Sequence, residues 1–375
     1  MRIILTGGGT GGHIYPALAI AEQCREQGIK AEFLYIGGKR GLETKIVPEA
    51  KIRFESIDIT GFRRSLFSLE NIRTINRFIQ GVKISKKLIR EFRPDIVIGT
   101  GGYVCGPVVY AAAKLGIPTL VHEQNAIPGL TNLFLSGYAN TVAVSFEDAL
   151  PRFKRAKRVL FTGNPRATMV QHADRERGLA SLGLPADAQI VLMVGGSRGA
   201  RALVEAMVQA APLLEQKPDV HYVFVTGEIY YDEIYERIEE AVETIPTNLH
   251  VLPYIPNMPE VLAATSLLIG RAGASSLAEI TSLGTPSILI PSPNVTNNHQ
   301  EANALALKKA GAAEMLLERD LSGQSLVTIV DRIMNDKQER KRMSEASSAL
   351  GTPQSAFLLL EEMQRLIAEK KADKH

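Results

Sequence analysis

Residues 2–16 read RIILTGGGTGGHIYP. A short β-rich apolar run, Ile3–Leu5, enters a glycine loop, and the loop enters amphipathic sequence of helical length from about Tyr15. The same order returns later as Ile190–Val194, then GGSRGA at 195–200, then helical sequence from about Ala200, with Gly195 standing 188 positions after Gly7. Strand, glycine loop and helix open a βαβ unit, so the double occurrence predicts two similar nucleotide-type domains in tandem. Further apolar runs at Phe33–Ile36, Ile96–Ile98, Thr119–Val121, Val142–Val144, Tyr222–Val225, Leu267–Ile269 and Ser287–Ile290 read as strands, separated by helix-length segments. Several lack polar alternation, as strands buried on both faces of a parallel sheet do. The predicted fold class is α/β, with two Rossmann-like, doubly wound parallel-sheet domains over 1–162 and 163–352. They join near TGNPR at 162–166, and the last helix, about 353–370, is able to pack back on the first domain.

The chain has 375 residues, 45% of them hydrophobic. A single core stops growing near ~250–300 residues, which again predicts two domains. Charged residues at 22% and 50 glycines and prolines together are ordinary globular composition, and exclude disorder and collagen-like repeats. Two cysteines, Cys24 and Cys105, exclude a disulfide scaffold and suit a reducing compartment. The N-terminal stretch shows no basic flank, apolar core and small-residue cleavage site of a secretory signal. The uncharged run Ile96–Ala113 has 18 residues with four glycines and Pro107, so it predicts strand, loop and helix in place of a membrane span. Net charge is +3, yet nine Lys/Arg stand against two Glu between Gly61 and Arg93. Such a stretch is either a solvated helix face or a docking surface for an anionic partner, nucleic acid or an acidic membrane.

Gly7-x-Gly9-x-x-Gly12 matches the dinucleotide fingerprint. Glycines let the backbone approach an anion, and a following helix start offers N–H groups and a positive dipole end. The fingerprint also needs an acid at the end of the second strand to hold a ribose. Here Ile36-Gly37-Gly38-Lys39 carries none, which disfavours a nicotinamide or flavin cofactor, and no G-x-x-x-x-G-K-[ST] occurs. Two glycine loops, one per domain, predict that both domains face one polyanionic cleft. Ser197 and Arg198 in the second loop suit a pyrophosphate. Arg271 to Glu279, RAGASSLAE, follows a strand and opens a helix, making it a second anion site in the same domain. Glu279 there is either a ribose-diol acceptor or a helix-start charge.

Among the seven histidines, no H-E-x-x-H, Cys/His metal spacing or D-x-D occurs, so metal-assisted chemistry is not expected. His13 ends the first loop at a helix start, and an ordinary imidazole pKa near about 6.5 suits a general base. A structural role at the helix start is the alternative. His122-Glu123-Gln124-Asn125 follows a strand, where open α/β sheets bind ligands, and His299-Gln300-Glu301-Ala302-Asn303 is a comparable cluster. Capping is the alternative for both.

GGGTGGH-x-x-P-A, GTGGY, HEQNAIPG, GNPR, GGSRGA, RAGASS-x-x-E and HQ-x-x-NA occur in this order between Met1 and Ala313. Together they resemble the MurG family of bacterial N-acetylglucosaminyltransferases. The resemblance implies a GT-B fold, and inverting transfer of GlcNAc from UDP-GlcNAc to the muramyl 4-hydroxyl of lipid I, giving lipid II. Carried over, it assigns donor contacts to Thr10, Gly11, Gly12, Asn125, Arg166 and Ser197. It also assigns uracil binding to the backbone of Ile255, and diphosphate and ribose contacts to Ala274, Ser275, Ser276, Leu277, Ala278 and Glu279. Gln300 falls to the sugar hydroxyls. His13 matches the base, with Glu123 as second candidate, and no cofactor or metal is implied. The partners implied are UDP-GlcNAc, lipid I and an anionic membrane surface, with no nucleic acid. Cell-wall synthesis or division proteins are left open as further partners. The location implied is peripheral, on the cytoplasmic face of the bacterial plasma membrane.

A lipid-linked acceptor needs an enzyme at the membrane surface. Arg63, Arg64, Leu66, Phe67, Leu69 and Arg73 mix apolar and basic residues as an interfacial patch does, and Ile72, Ile75, Phe78 and Ile79 continue at helical spacing. A core-facing helix with a basic outer side is the alternative. Other functions on the same architecture are transfer to another acceptor, epimerisation of UDP-GlcNAc, or binding of the nucleotide sugar without catalysis.

Overall fold

A computed structural model describes residues 1–61, 69–195, 201–214 and 220–373, with the backbone alone at 69–72. The chain divides into two compact units, Met1–Thr168 with Gln354–His375, and Met169–Pro353.

The first unit carries β1 (Arg2–Thr6), β2 (Glu32–Gly38), β3 (Arg53–Ile57), β4 (Ile96–Gly99), β5 (Thr119–Glu123), β6 (Thr141–Val144) and β7 (Val159–Phe161). They pair in parallel in the order β3-β2-β1-β4-β5-β6-β7. Ile4 sits beside Leu34 on one side and Val97 on the other. Alternate residues of β1 enter different cores. Ile3 and Leu5 pack with Ile14, Ala17, Leu359 and Met363, whereas Ile4 packs with Ile89, Val104 and Val108. Both faces are covered by helices, which is why the strand shows no polar alternation. The helix Ser355–Ala372 covers one face, and its Glu362 accepts hydrogen bonds from Thr141 Oγ1 at 2.5 Å and Arg365 Nη2 at 2.7 Å.

The second unit carries β8 (Gln189–Val194), β9 (Val220–Val225), β10 (Leu249–Leu252), β11 (Thr265–Gly270), β12 (Ser287–Leu289) and β13 (Ala313–Met315). These also pair in parallel, in the order β10-β9-β8-β11-β12-β13. Leu192 pairs with Val223 and with Leu268. Val191 and Met193 pack against the helices Arg201–Leu214 and Gly323–Asn335 through Leu203, Met207, Leu326 and Val330.

Each sheet reverses its winding once, between β1 and β4 and between β8 and β11. The crevice outside the carboxyl ends of strands at such a reversal is where open α/β sheets take ligands. Two boundaries differ from expectation. The first helix begins at Gly11, one turn before Tyr15, so Gly11, Gly12 and His13 are helical residues. His122 and Glu123 are the last residues of β5, paired with Ala143 and Val144, where a loop was expected.

Candidate active site

In the first unit, the loop after β1 and the loop after β4 lie against each other. Gly8 N–H donates to Gly101 O at 3.3 Å, and Thr100 N–H donates to Thr6 O at 2.8 Å. Thr100 Oγ1 donates to His13 O at 2.6 Å, tying the first helical turn to the second loop. Gly101 adopts φ +106, and a β-carbon there would lie 2.6 Å from His13 Cδ2. The imidazole thus rests on backbone that only glycine provides. Behind it, Cys105 Sγ accepts from Gly101 N–H at 3.1 Å and lies 3.0 Å from Thr6 O. Burial pushes the Cys105 thiol up to about 12, so it stays a protonated donor.

His13 Nδ1 stands 3.0 Å from Gly8 O and 3.4 Å from Thr10 Oγ1. A carbonyl oxygen only accepts, so Nδ1 carries the proton, and in the neutral ring the lone pair lies on Nε2. A half-buried imidazole in that tautomer is equipped to take a proton through Nε2. Thr10 and Gly12 are exposed beside it. Arg166, expected with the second domain, falls in the first unit, its guanidinium carbon 5.3 Å from the centre of the Tyr15 ring.

His122 is built differently. It is fully buried, with Nε2 2.9 Å from Gly163 O and Nδ1 2.9 Å from Gln124 Nε2. Burial lowers its pKa, and both nitrogens bind protein. Gln124 Nε2 also donates to Thr100 O at 2.7 Å, bracing the loop beneath His13. The second candidate base, Glu123, is 2% exposed. Its Oε1 accepts from Asn125 N and Nδ2 at 3.0 and 3.2 Å, and its Oε2 from Gly129 N and Asn132 Nδ2 at 3.0 and 2.8 Å. Four donors on one buried carboxylate hold the Asn125–Gly129 turn in place.

The expectation that the first glycine loop offers its amides to a ligand needs correcting at Gly9. Its N–H donates to Glu43 Oε2 at 3.1 Å, and Gly38 N–H donates to Glu43 Oε1 at 2.9 Å. Glu43 was not singled out in the sequence, because it follows the second strand by five residues.

In the second unit, β11 leads through Arg271–Gly273 into the helix Ala274–Leu283, with Gly273 as N-cap. Arg271 Nη1 donates to Ile290 O at 3.0 Å and to Glu318 Oε2 at 2.9 Å. Buried Asn303 donates to Ala272 O at 3.2 Å, so the loops after β11 and β12 share one support. Ser275 Oγ is buried with no partner among the described residues, an orphaned hydroxyl at a helix start. Ser276 is exposed, Leu277 packs inward, Ala278 is half-buried and Glu279 is 8% exposed. Ile255 buries its side chain at 3% exposure beside exposed Tyr254, fixing the backbone there. Gln300 Oε1 accepts from Ser292 N–H at 2.8 Å, which directs its Nε2 away from that contact. Ser197 and Arg198 lie outside the described residues.

Of the basic apolar stretch, Arg63, Arg64, Leu66 and Phe67 lie outside the described residues, as does the side chain of Leu69. Arg73 is exposed, Ile75 and Ile79 are 48% and 49% exposed, and Phe78 meets Phe134 edge-on at 6.0 Å between ring centres. Among the described residues there is no cluster of three or more His, Cys, Asp or Glu suited to a metal ion, and no helix long and apolar enough to cross a membrane.

Residues 3–144 match the glycosyltransferase family 28 N-terminal domain, and residues 190–358 match its C-terminal domain. The chain is 52% identical over 369 residues to the UDP-N-acetylglucosamine–N-acetylmuramyl-(pentapeptide) pyrophosphoryl-undecaprenol N-acetylglucosamine transferase 1 of Bacillus cereus, covering 98% of this chain and 100% of that one. A crystal structure of Acinetobacter baumannii MurG is similar at 28% identity and TM-score 0.77, covering 97% of this chain and 99% of that one. A UDP-GlcNAc 2-epimerase from Neisseria meningitidis, bound to UDP-GlcNAc, is similar at TM-score 0.69 and 14% identity over 97% of this chain and 100% of that one, which is a likeness of fold.

Proposed function

Since the chain belongs to glycosyltransferase family 28, in company with the N-acetylglucosamine transferases of the lipid-linked peptidoglycan precursor, we propose how its residues carry out that transfer. The enzyme transfers GlcNAc from UDP-GlcNAc to lipid I. The muramyl 4-hydroxyl attacks the anomeric carbon, the new C–O bond forms as the bond to UDP breaks, and one in-line step inverts the centre. The hydroxyl proton passes to His13 Nε2, and UDP leaves with the bonding electron pair. The observation that carries this reading is the His13–Gly8 hydrogen bond, which keeps the proton on Nδ1 and the lone pair on Nε2.

The leaving diphosphate gains charge as the bond breaks. Amides at the start of the helix Ala274–Leu283, the Ser275 hydroxyl, which has no partner among the described residues, and Ser197 are the groups we assign to it. Thr10, Gly11 and Gly12, of the first unit, are assigned to the donor sugar, with Asn125 and Arg166. Glu279 takes the ribose diol, the Ile255 backbone the uracil, and Gln300 Nε2 the sugar hydroxyls. Ser276, Leu277 and Ala278 shape the turn around the phosphates. Glu123 is given the task of holding Asn125, and the base is His13 alone. No metal or cofactor enters the step.

The acceptor carries a long lipid, so the enzyme meets it at an acidic membrane surface on the cytoplasmic side. Exposed Ile75, Ile79 and Arg73 support a docking face there, and Arg63, Arg64, Leu66, Phe67 and Leu69, outside the described residues or with an undescribed side chain, are assigned to the same role from the sequence.

The test is transfer of labelled GlcNAc from UDP-GlcNAc to a short-chain lipid I analogue. The wild-type chain forms the disaccharide product. His13→Ala lowers turnover by about 100-fold or more, while donor affinity by calorimetry stays within about twofold. An equal loss of donor affinity and turnover makes His13 a binding residue and removes it as the base.

A further inference from the structure

A glycine loop that opens a helix is expected to hold a ligand's anion, but this one already holds an anion of the protein. Glu43 is 2% exposed, and its two oxygens accept from Gly9 N–H and Gly38 N–H. Gly9 stands at φ +84, one residue before the N-cap Thr10, so its amide direction sets how the chain enters the helix bearing His13. A β-carbon at Gly8 or Gly41 would collide with the Glu43 carboxylate, so the backbone closes around it on both sides. Tyr35, fully buried, donates to Gly7 O at 2.9 Å and pins the residue before. Between these two anchors lies Gly8, whose carbonyl accepts from His13 Nδ1 and whose N–H donates to Gly101 O.

We propose that Glu43 is a positioning residue for the transfer: its buried carboxylate is the internal anion that shapes the first glycine loop, and through the Gly8 carbonyl it fixes the tautomer and direction of His13. This rests on the reading of His13 as the base. The second strand ends without the acid that takes a ribose in a dinucleotide enzyme, and Glu43, five residues beyond it, takes the loop itself. The donor's diphosphate charge therefore belongs with the second unit's helix start. Glu43 touches no reacting atom in this scheme. It acts through the loop, as supporting residues act on groups whose misplacement by about 1 Å can cost about 100-fold.

The experiment uses the full chain as Glu43→Ala, with formate as the probe. Turnover falls by about 10- to 100-fold, and formate restores it with saturation by filling the vacated place between the two amides, whereas chloride at equal ionic strength does not. On a His13→Ala background the same change costs no more than about twofold further. Glu43→Gln, which keeps the side chain's shape with one acceptor oxygen, gives the same non-additive cycle should the alanine variant not fold. Wild-type turnover in folded Glu43→Ala, absence of formate rescue, or fully additive losses with His13→Ala overturn the proposal. Wild-type turnover in His13→Ala overturns the base assignment instead, so the two failures are separate readings.

Discussion

His13 and His122 are both imidazoles hydrogen-bonded to a carbonyl, yet burial gives them different work. His13 donates through Nδ1 and is half-buried in the first turn of a helix; His122 donates through Nε2 to Gly163 O and is sealed. Burial depresses the His122 pKa, so the unfolded chain binds a proton more readily than the folded one. His250 is depressed in the same direction, by burial first and by neighbouring His221 second. The sign follows: these groups leave stability intact above the unfolded histidine value of about 6.5, and withdraw it as pH falls below that value. Thermal unfolding at pH 5.5 is therefore expected below that at pH 7.5, with a smaller difference in His122→Gln. An equal difference in the variant assigns the effect elsewhere. At this scale His13, Thr10 and the Arg271–Glu279 stretch were visible in the sequence, because loop and residue type coincide. Glu43 was not, since nothing local links a glutamate at the start of a short helix to amides 5 and 34 residues away.

At the scale of elements, the apolar runs at Ile3–Leu5, Ile96–Ile98 and Ile190–Val194 were legible as strands because helices cover both their faces. The strands that escaped notice are β3, β7, β10 and β13, and each is a sheet edge. Arg53-Phe54-Glu55-Ser56-Ile57 and Ala313-Glu314-Met315 keep one flank unpaired and carry charges accordingly, so an apolar run is not demanded of them. The helix Ser355–Ala372 belongs to the first unit, packing Leu359 and Met363 on the face lined by Ile3 and Leu5. Leu359 is fully buried, so Leu359→Ala is expected to destabilise by about 2–5 kcal/mol. Urea unfolding followed by a reporter in each unit measures it, and the first unit is expected to lose stability. A loss confined to the second unit contradicts this packing.

For the whole molecule, the family assignment rests on two domain matches that together span most of the chain, and on a relative matched from end to end. The acceptor's lipid makes membrane contact part of the account. Ile75→Glu with Ile79→Glu is expected to reduce co-sedimentation with anionic vesicles severalfold while leaving donor binding unchanged. Undiminished binding places the docking face elsewhere.

In the proposed transfer, His13 Nε2 takes the acceptor's proton in the bond-forming step. The direct measurement is the single-turnover transfer rate as a function of pH, with donor and acceptor saturating, for the wild type and for His13→Ala. The wild-type rate should fall tenfold per pH unit on the acid side as the imidazole becomes protonated, and the residual rate of the variant should be flat across that range. An acid limb that persists unchanged in His13→Ala contradicts the claim.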